Sequence, residues 1–189
     1  YVRRIPDSYA RILRAIEIAK AVGQPFSVVT HVSKKTKPKL LPLLDLLLEK
    51  GPNCWQVQLG SPMGNMRRED VLDDDDLLSL TALFEEIYRR AGDRLRVYAG
   101  DCVGYYDPLE KVHRKDTRFG FWTGCLAGCS GIGIESNGNV RGCLSIQDAA
   151  AIEGNVRATP LREIWEKPGA FAYNRAFEPS QLRGFCREC

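Results

Sequence analysis

Five of the seven cysteines in this 189-residue chain fall within its last 65 residues: Cys125, Cys129, Cys143, Cys186 and Cys189. The first 124 residues hold only Cys54 and Cys102. The first part must therefore fold on an ordinary apolar core, whereas the second is organised around thiols. No charged-then-apolar leader opens the chain and the cysteine count is odd, so a reducing, cytoplasmic compartment and metal ligation are expected rather than a disulfide framework. An apolar fraction of 44% and a charged fraction of 27% are those of a globular protein and exclude disorder and a collagen-like fibre. The net charge of +3, from 27 basic and 24 acidic residues, is too balanced to point to nucleic acid or an anionic membrane. The most apolar run, residues 40–48, is broken by Pro42 and Asp45. It falls short of the roughly 20 residues that cross a bilayer. The chain starts at Tyr1 and stops at Cys189, the second half of a C-x-x-C, and so reads as a piece of a longer protein.

The first half alternates helix and strand. Asp7 or Ser8 can cap a helix whose apolar face is Tyr9, Ile12, Leu13, Ile16 and Ala19, ended by Gly23. Phe26–Val32 is short and β-branched and predicts a strand. Lys37-Pro38 opens a leucine-rich helix whose regular part is expected from about Pro42 and which Gly51-Pro52 stops. Cys54–Leu59 alternates, with Trp55, Val57 and Leu59 on one face and Cys54, Gln56 and Gln58 on the other. The loop Gly60–Gly64 follows, then a helix from about Asp75 to Arg90 buried through Leu77, Leu80, Phe84, Ile87 and Tyr88. The run Asp73–Asp76 has the composition of a metal site, but carboxylates at a helix start complement the macrodipole and that reading is preferred.

Helix–strand–helix–strand–helix with short connections is the pattern of parallel βα units. We expect an α/β class, the closing C-terminal portion of a larger parallel sheet or partial (β/α) barrel, followed by a small cysteine-rich α+β domain. Chemistry in such folds sits at the C-terminal ends of strands, which puts Thr30, His31, Gln58 and the Ser61–Gly64 loop at the rim. Gln56 and Gln58 either face a ligand inside a barrel or bond each other and water; both readings stand. The character changes at the short strand Leu95–Ala99. We divide the chain into residues 1–92, a bridging segment 93–122, and residues 123–189.

In the second part an Asn137-Gly138 hairpin turn lies between Cys125 and Cys143, which are 18 residues apart. A tight hairpin can bring a cysteine at its base close to one just upstream. Thr159-Pro160 opens a small helix with Leu161, Ile164 and Trp165 on one side. Cys186 and Cys189 form a C-x-x-C that can bind one metal ion or cluster from a single turn. Thiolate-only ligation means zinc or iron–sulfur. A structural zinc module with Cys125, Cys143, Cys186 and Cys189 as a four-cysteine site is one reading. It leaves the preceding βα units unexplained.

The stretch Cys125-Leu-Ala-Gly128 with Ile134, Gly138, Val140 and Cys143 has twelve residues between Cys125 and Gly138 and four between Gly138 and Cys143. This resembles the opening motif of the SPASM domain. Glu153–Val156 and Pro160–Trp165 resemble the segment that follows it, and Gly184–Cys189 the start of the next cysteine motif. SPASM domains follow a radical S-adenosylmethionine (SAM) barrel, and residues 1–92 resemble the end of that barrel. The radical SAM signature C-x-x-x-C-x-x-C is absent: Cys125-x-x-x-Cys129 mimics its first half, but Ile132 stands at the third position.

The resemblance implies a radical SAM oxidoreductase for the intact protein. In such enzymes a barrel 4Fe–4S cluster cleaves SAM, and the 5′-deoxyadenosyl radical abstracts hydrogen from the substrate, often a peptide or protein. One or two auxiliary 4Fe–4S clusters in the SPASM domain take up or relay an electron or help hold the substrate, and a flavodoxin or ferredoxin is the implied donor. By this resemblance Cys125 and Cys143 serve the first auxiliary cluster and Cys186 and Cys189 the second, with Cys129 either a further ligand or a bystander. Thr30, His31 and Gln58 are rim candidates toward SAM or substrate, and no catalytic residue is assigned within these 189 residues. Cys54 and Cys102 read as buried free thiols. Arg67-Arg68, Arg114-Lys115 and Arg118 either contact an acidic peptide or form a solvated surface. Phe121-Trp122 and Phe171–Phe177 are expected to pack over the cluster region. The chain alone is expected to bind clusters poorly and to do no radical chemistry.

Overall fold

The computed structural model describes residues 4–100, 103–104, 107–115, 120–183 and 187. Cys102, Arg118, Cys186 and Cys189 lie outside the described residues, as does most of Gly184–Cys189. The chain divides into two compact units, Tyr1–Thr123 and Gly124–Cys189.

The first unit is built on a three-stranded parallel sheet in the order β1-β2-β3: β1 Val28–Val32, β2 Cys54–Leu59 and β3 Arg96–Ala99. The crossovers are helices α2 (Leu40–Lys50) and α3 (Asp74–Ala91), and α1 (Ser8–Ala21) precedes the sheet. Period-two alternation decides which face is covered. Trp55, Val57, Val97 and Ala99 turn inward and pack with Leu44 and Leu47 of α2 and Leu80, Phe84 and Ile87 of α3 in one buried cluster. The opposite face carries Val29, His31, Gln56, Gln58 and Tyr98, paired in register as Val29 with Gln56, His31 with Gln58 and Gln56 with Tyr98. Val29 remains 57% exposed there.

Local chemistry accounts for the element ends. A single 3₁₀ turn at Lys37–Lys39 leads into α2, which starts at Leu40, two residues before the expected position. Pro42 then sits in the first turn, where its missing N–H costs nothing. Gly51 ends α2 with φ +69°, a left-handed cap. The aspartate run is a helix start: Asp73 accepts from the Asp76 N–H, and Asp76 accepts in return from the Asp73 N–H. Lys34 pairs with Asp73 and Lys37 with Asp76. Asp7 precedes α1 without a side-chain cap, and of the expected apolar face of α1 only Ile16 is buried. Tyr9 and Ile12 are exposed.

After β3 a short helix α4 (Glu110–His113) is held by a buried polar network. His113 Nδ1 meets the Tyr88 hydroxyl at 2.7 Å, and its Nε2 meets Asp107 Oδ2 at 3.2 Å. Asp107 also accepts from Thr81 at 2.9 Å. The imidazole stacks edge-on against Phe84, with ring centroids 5.0 Å apart. Arg114 is buried and donates to the carbonyls of Ala99 and Val103 at the end of β3. It is therefore neither solvated surface nor available to a peptide.

The second unit holds a small antiparallel sheet, β4 (Gly133–Ile134), β5 (Asn139–Arg141) and β6 (Gly154–Asn155), followed by α5 (Leu161–Glu166) and α6 (Ala172–Arg175). The hairpin turns at Asn137-Gly138, where Gly138 takes φ +94° and Asn137 Oδ1 accepts from the Asn139 N–H. Val140, Ile164, Ala170 and Phe171 form its core, with Ile132, Val156 and Trp165 against them. Leu161, expected to share the buried side of α5, is 38% exposed.

Candidate iron–sulfur site

The hairpin places Cys143 just after β5 and opposite the loop that carries Cys125. Both line one cleft of about 400 Å³, together with Leu126, Ala127, Gly131, Gly133, Gly142 and Leu144. Each sulfur lies at the head of a short turn and accepts a main-chain N–H two residues on. Ala127 donates to Cys125 Sγ at 3.4 Å and Ser145 to Cys143 Sγ at 3.4 Å. An N–H aimed at a ligating sulfur is a hydrogen bond of the kind that orients the ligand and tunes a bound cluster. Both thiols are free, Cys125 exposed and Cys143 half-buried. Cys129 is also free and exposed, but it sits in the turn Leu126–Ser130 and is not among the lining residues.

The donor chemistry fits an iron–sulfur cluster. Soft sulfur donors converge on a cleft whose walls are largely glycine and aliphatic, with two of the four ligands a cluster needs. Among the described residues no group of three or more His, Cys, Asp or Glu could hold a metal ion. The remaining candidate thiols, Cys186 and Cys189, lie outside them.

The loop around Cys125 is shaped from a distance. Asn174 Nδ2 donates to the Cys125 carbonyl at 2.6 Å and to that of Ala127 at 2.8 Å. Arg175 Nε donates to the Gly128 carbonyl at 2.6 Å. The Gly142 N–H donates to the Tyr173 hydroxyl, and burial raises that phenol above its ordinary range, the charges of Glu153, Cys125 and Cys143 adding to the shift. These α6 residues lie 47 to 49 positions after their Cys125-loop partners, so no local sequence pattern announces them. Of the aromatics expected to pack here, Phe171 is fully buried, whereas Phe121 and Phe177 are exposed.

In the first unit, His31 and Gln58 stand side by side at the C-terminal ends of β1 and β2. Gln56 donates to Gln58 at 3.3 Å, so the mutual bond expected as one alternative is present. Gly100, at the end of β3, approaches this pair so closely that an added Cβ would lie 2.8 Å from Gln56 Nε2. Thr30 turns to the helix-covered face, where its hydroxyl accepts from the Trp55 indole at 3.0 Å. Beyond β1, Thr36 closes a hydroxyl turn by donating to the His31 carbonyl at 3.1 Å, while its oxygen accepts from the Ser33 N–H at 2.8 Å. Cys54 is half-buried rather than buried, and its thiol lies 3.2 Å from the Ser27 hydroxyl.

The family model for SPASM, described as an iron–sulfur cluster-binding domain, matches residues 125–189. The chain is similar to an AdoMet-dependent heme synthase of Methanosarcina barkeri, 25% identical over 99% of this chain and 54% of that protein. It is also similar to the protein of that name from Nitratidesulfovibrio vulgaris, 23% identical over 99% of this chain and 52% of that protein. The chain thus spans about half the length of the curated relatives it matches. Among solved structures it resembles Streptococcus suis SuiB bound to S-adenosylmethionine, with a TM-score of 0.64 and 19% identity over 87% of this chain and 39% of that one. SuiB bound to its precursor peptide SuiA gives a TM-score of 0.64 at 20% identity, with the same coverage. The shared fold is the α/β one described above, the C-terminal portion of a partial barrel and a small cysteine-rich domain. Residues 125–189 thus match the SPASM domain model from Cys125 onward, and the chain shares its α/β fold with SuiB and aligns over nearly its whole length with two AdoMet-dependent heme synthases.

Proposed function

We propose that the chain is part of a radical SAM/SPASM oxidoreductase, in which residues 123–189 hold auxiliary 4Fe–4S clusters. Residues 1–92 then form the closing part of the SAM-binding barrel and 93–122 the bridge. The observation that carries this reading is the convergence of Cys125 and Cys143 on one cleft, each sulfur accepting a main-chain N–H. Cys186 and Cys189 supply thiolates to a second cluster, and Cys129 is either a further ligand or a bystander. His31 and Gln58 face SAM or substrate from the open side of the sheet; Thr30, committed to Trp55, does not. When bound, SAM and its cluster supply a hydrogen-abstracting radical, and the auxiliary clusters supply a path for the electron. The chain's own residues hold the thiolates, screen them with N–H groups and set the polar rim.

The substrate in this reading is a peptide, supported by the likeness to SuiB in complex with its precursor peptide SuiA. A flavodoxin or ferredoxin supplies the electron, in the cytoplasm. No helix among the described residues is long and apolar enough to cross a membrane. A second reading, a heme synthase, is supported by two relatives of that name that align with 99% of the chain.

Anaerobic purification tests the cluster assignment. A brown protein with broad visible absorption and equal iron and sulfide is expected, whereas a colourless protein containing zinc would overturn it. Incubation of the full-length protein with SAM, reductant and either a candidate peptide or a heme precursor then separates the substrates. A mass change in the peptide supports the first reading, and the absorption band of heme supports the second.

A further inference from the structure

We propose that α6 positions the first cysteine loop for its cluster, with Asn174 and Arg175 as positioning residues that hold Cys125 opposite Cys143. The proposal rests on the reading of Cys125 and Cys143 as cluster ligands. It concerns residues outside the cysteine motifs.

The argument begins with the loop's own bonds. Between Cys125 and Gly131 the chain makes one isolated bridge, Ala127 with Gly131, and two turn bonds from Cys129 and Ser130 to the Leu126 carbonyl. The carbonyls of Cys125, Ala127 and Gly128 belong to no strand ladder. Main-chain acceptors in such a place need partners, and side chains of α6 provide them. One Asn174 amide bridges the Cys125 and Ala127 oxygens, which fixes the pitch of the turn that aims Cys125 Sγ. Arg175 holds the next carbonyl, Gly128, and is itself locked. Its Nη1 donates to the Trp165 carbonyl at 2.7 Å, and its guanidinium lies 4.1 Å from the Trp165 ring centre and 4.6 Å from that of Phe171.

The base of α6 is equally constrained. Phe171 takes φ +57°, a left-handed conformation that bulky residues rarely adopt, and is fully buried. Its N–H donates to Glu153 at 2.8 Å. Gly128 fits against it only because it lacks a side chain: an added Cβ would lie 2.5 Å from Phe171 Cβ. From this base three consecutive residues reach both halves of the site. Tyr173 meets Gly142 beside Cys143, Asn174 meets the Cys125 turn and Arg175 meets Gly128. Every one of these contacts is to main chain and comes from residues outside the cysteine motifs. The protein's own hydrogen bonds therefore orient the ligand loop, as outer-shell partners do.

The test uses the full-length protein after anaerobic reconstitution. N174D keeps the shape of the side chain but turns a carboxylate toward two carbonyl oxygens. R175K keeps the charge but loses the planar fork and the ring contacts. We expect each variant to release auxiliary-site iron to a chelator roughly 10- to 100-fold faster than wild type, the usual cost of losing an outer-shell partner. The electron paramagnetic resonance signal of the reduced auxiliary cluster should change shape, while far-ultraviolet circular dichroism stays the same. If N174D fails to fold, R175K carries the test. Wild-type release rates and spectra in the folded variants overturn the proposal when C125A and C143A do lose auxiliary iron. Retention of that iron in C125A and C143A overturns the ligand reading, and this proposal with it.

Discussion

His113 shows how a single side chain can couple stability to pH. Its ring is fully enclosed between Phe84 and Tyr88, and burial holds its pKa below the usual 6.5, although Asp107 opposes the shift. In the unfolded chain the imidazole takes up a proton below about pH 6.5, which the folded chain resists. Its stabilising contribution is therefore complete above that pH and declines as pH falls toward the depressed folded value. The denaturant midpoint should drop between about pH 7.5 and about pH 5.5, and H113Q should flatten the slope; an unchanged slope in H113Q would remove His113 as its source. At Gly142 an added Cβ would lie 2.0 Å from the Tyr173 hydroxyl and 3.0 Å from the Gly128 nitrogen. G142A should destabilise the protein by about 1–3 kcal/mol in equilibrium unfolding, the range for overpacking. At this scale the sequence was partly legible. The spacing of Cys125, Gly138 and Cys143 is local turn chemistry and places the two thiols at one cleft. Thr30 and His31 are neighbours in a strand and so occupy opposite faces, which alternation alone forbids reading as one rim. The partners of His113 lie 25 and 6 residues away, and no periodicity links them.

At the scale of elements, β2 matches its expected bounds, Cys54–Leu59, because alternation and the flanking turn residues agree. The start of α3 was legible to within a residue because carboxylates at a helix start complement the macrodipole; the capping box between Asp73 and Asp76 is what the structure adds. D73A should cost about 0.5–2 kcal/mol, read from the shift in denaturant midpoint. The exposed pair with Lys34 adds little to that figure. No loss in D73A would mean that α3 is held by its buried face alone. Helix α1 is the counterexample. Its residues recur at helical spacing and the helix forms, yet only Ile16 is fully buried, with Leu13 and Ala19 half-buried, since burial depends on what stands opposite and not on the helix's own pattern. Helix α6 is four residues long and carries no amphipathic signature, so its role emerges only from contacts made across the chain.

At the scale of the whole molecule, the chain contains no C-x-x-x-C-x-x-C motif. The 189 residues alone should therefore not cleave SAM after anaerobic reconstitution, whatever iron they retain. Detection of 5′-deoxyadenosine above a no-protein control by liquid chromatography would contradict this. The parallel sheet has a further practical consequence. With the order β1-β2-β3, β1 and β3 are each paired on one side only among the described residues, and Val29 lies bare on the open face. Unpaired strand edges next to uncovered apolar side chains are templates for pairing with other chains. Expressed in isolation, these 189 residues should associate edge to edge as concentration rises, and a lysine in place of Val29 should keep them dispersed.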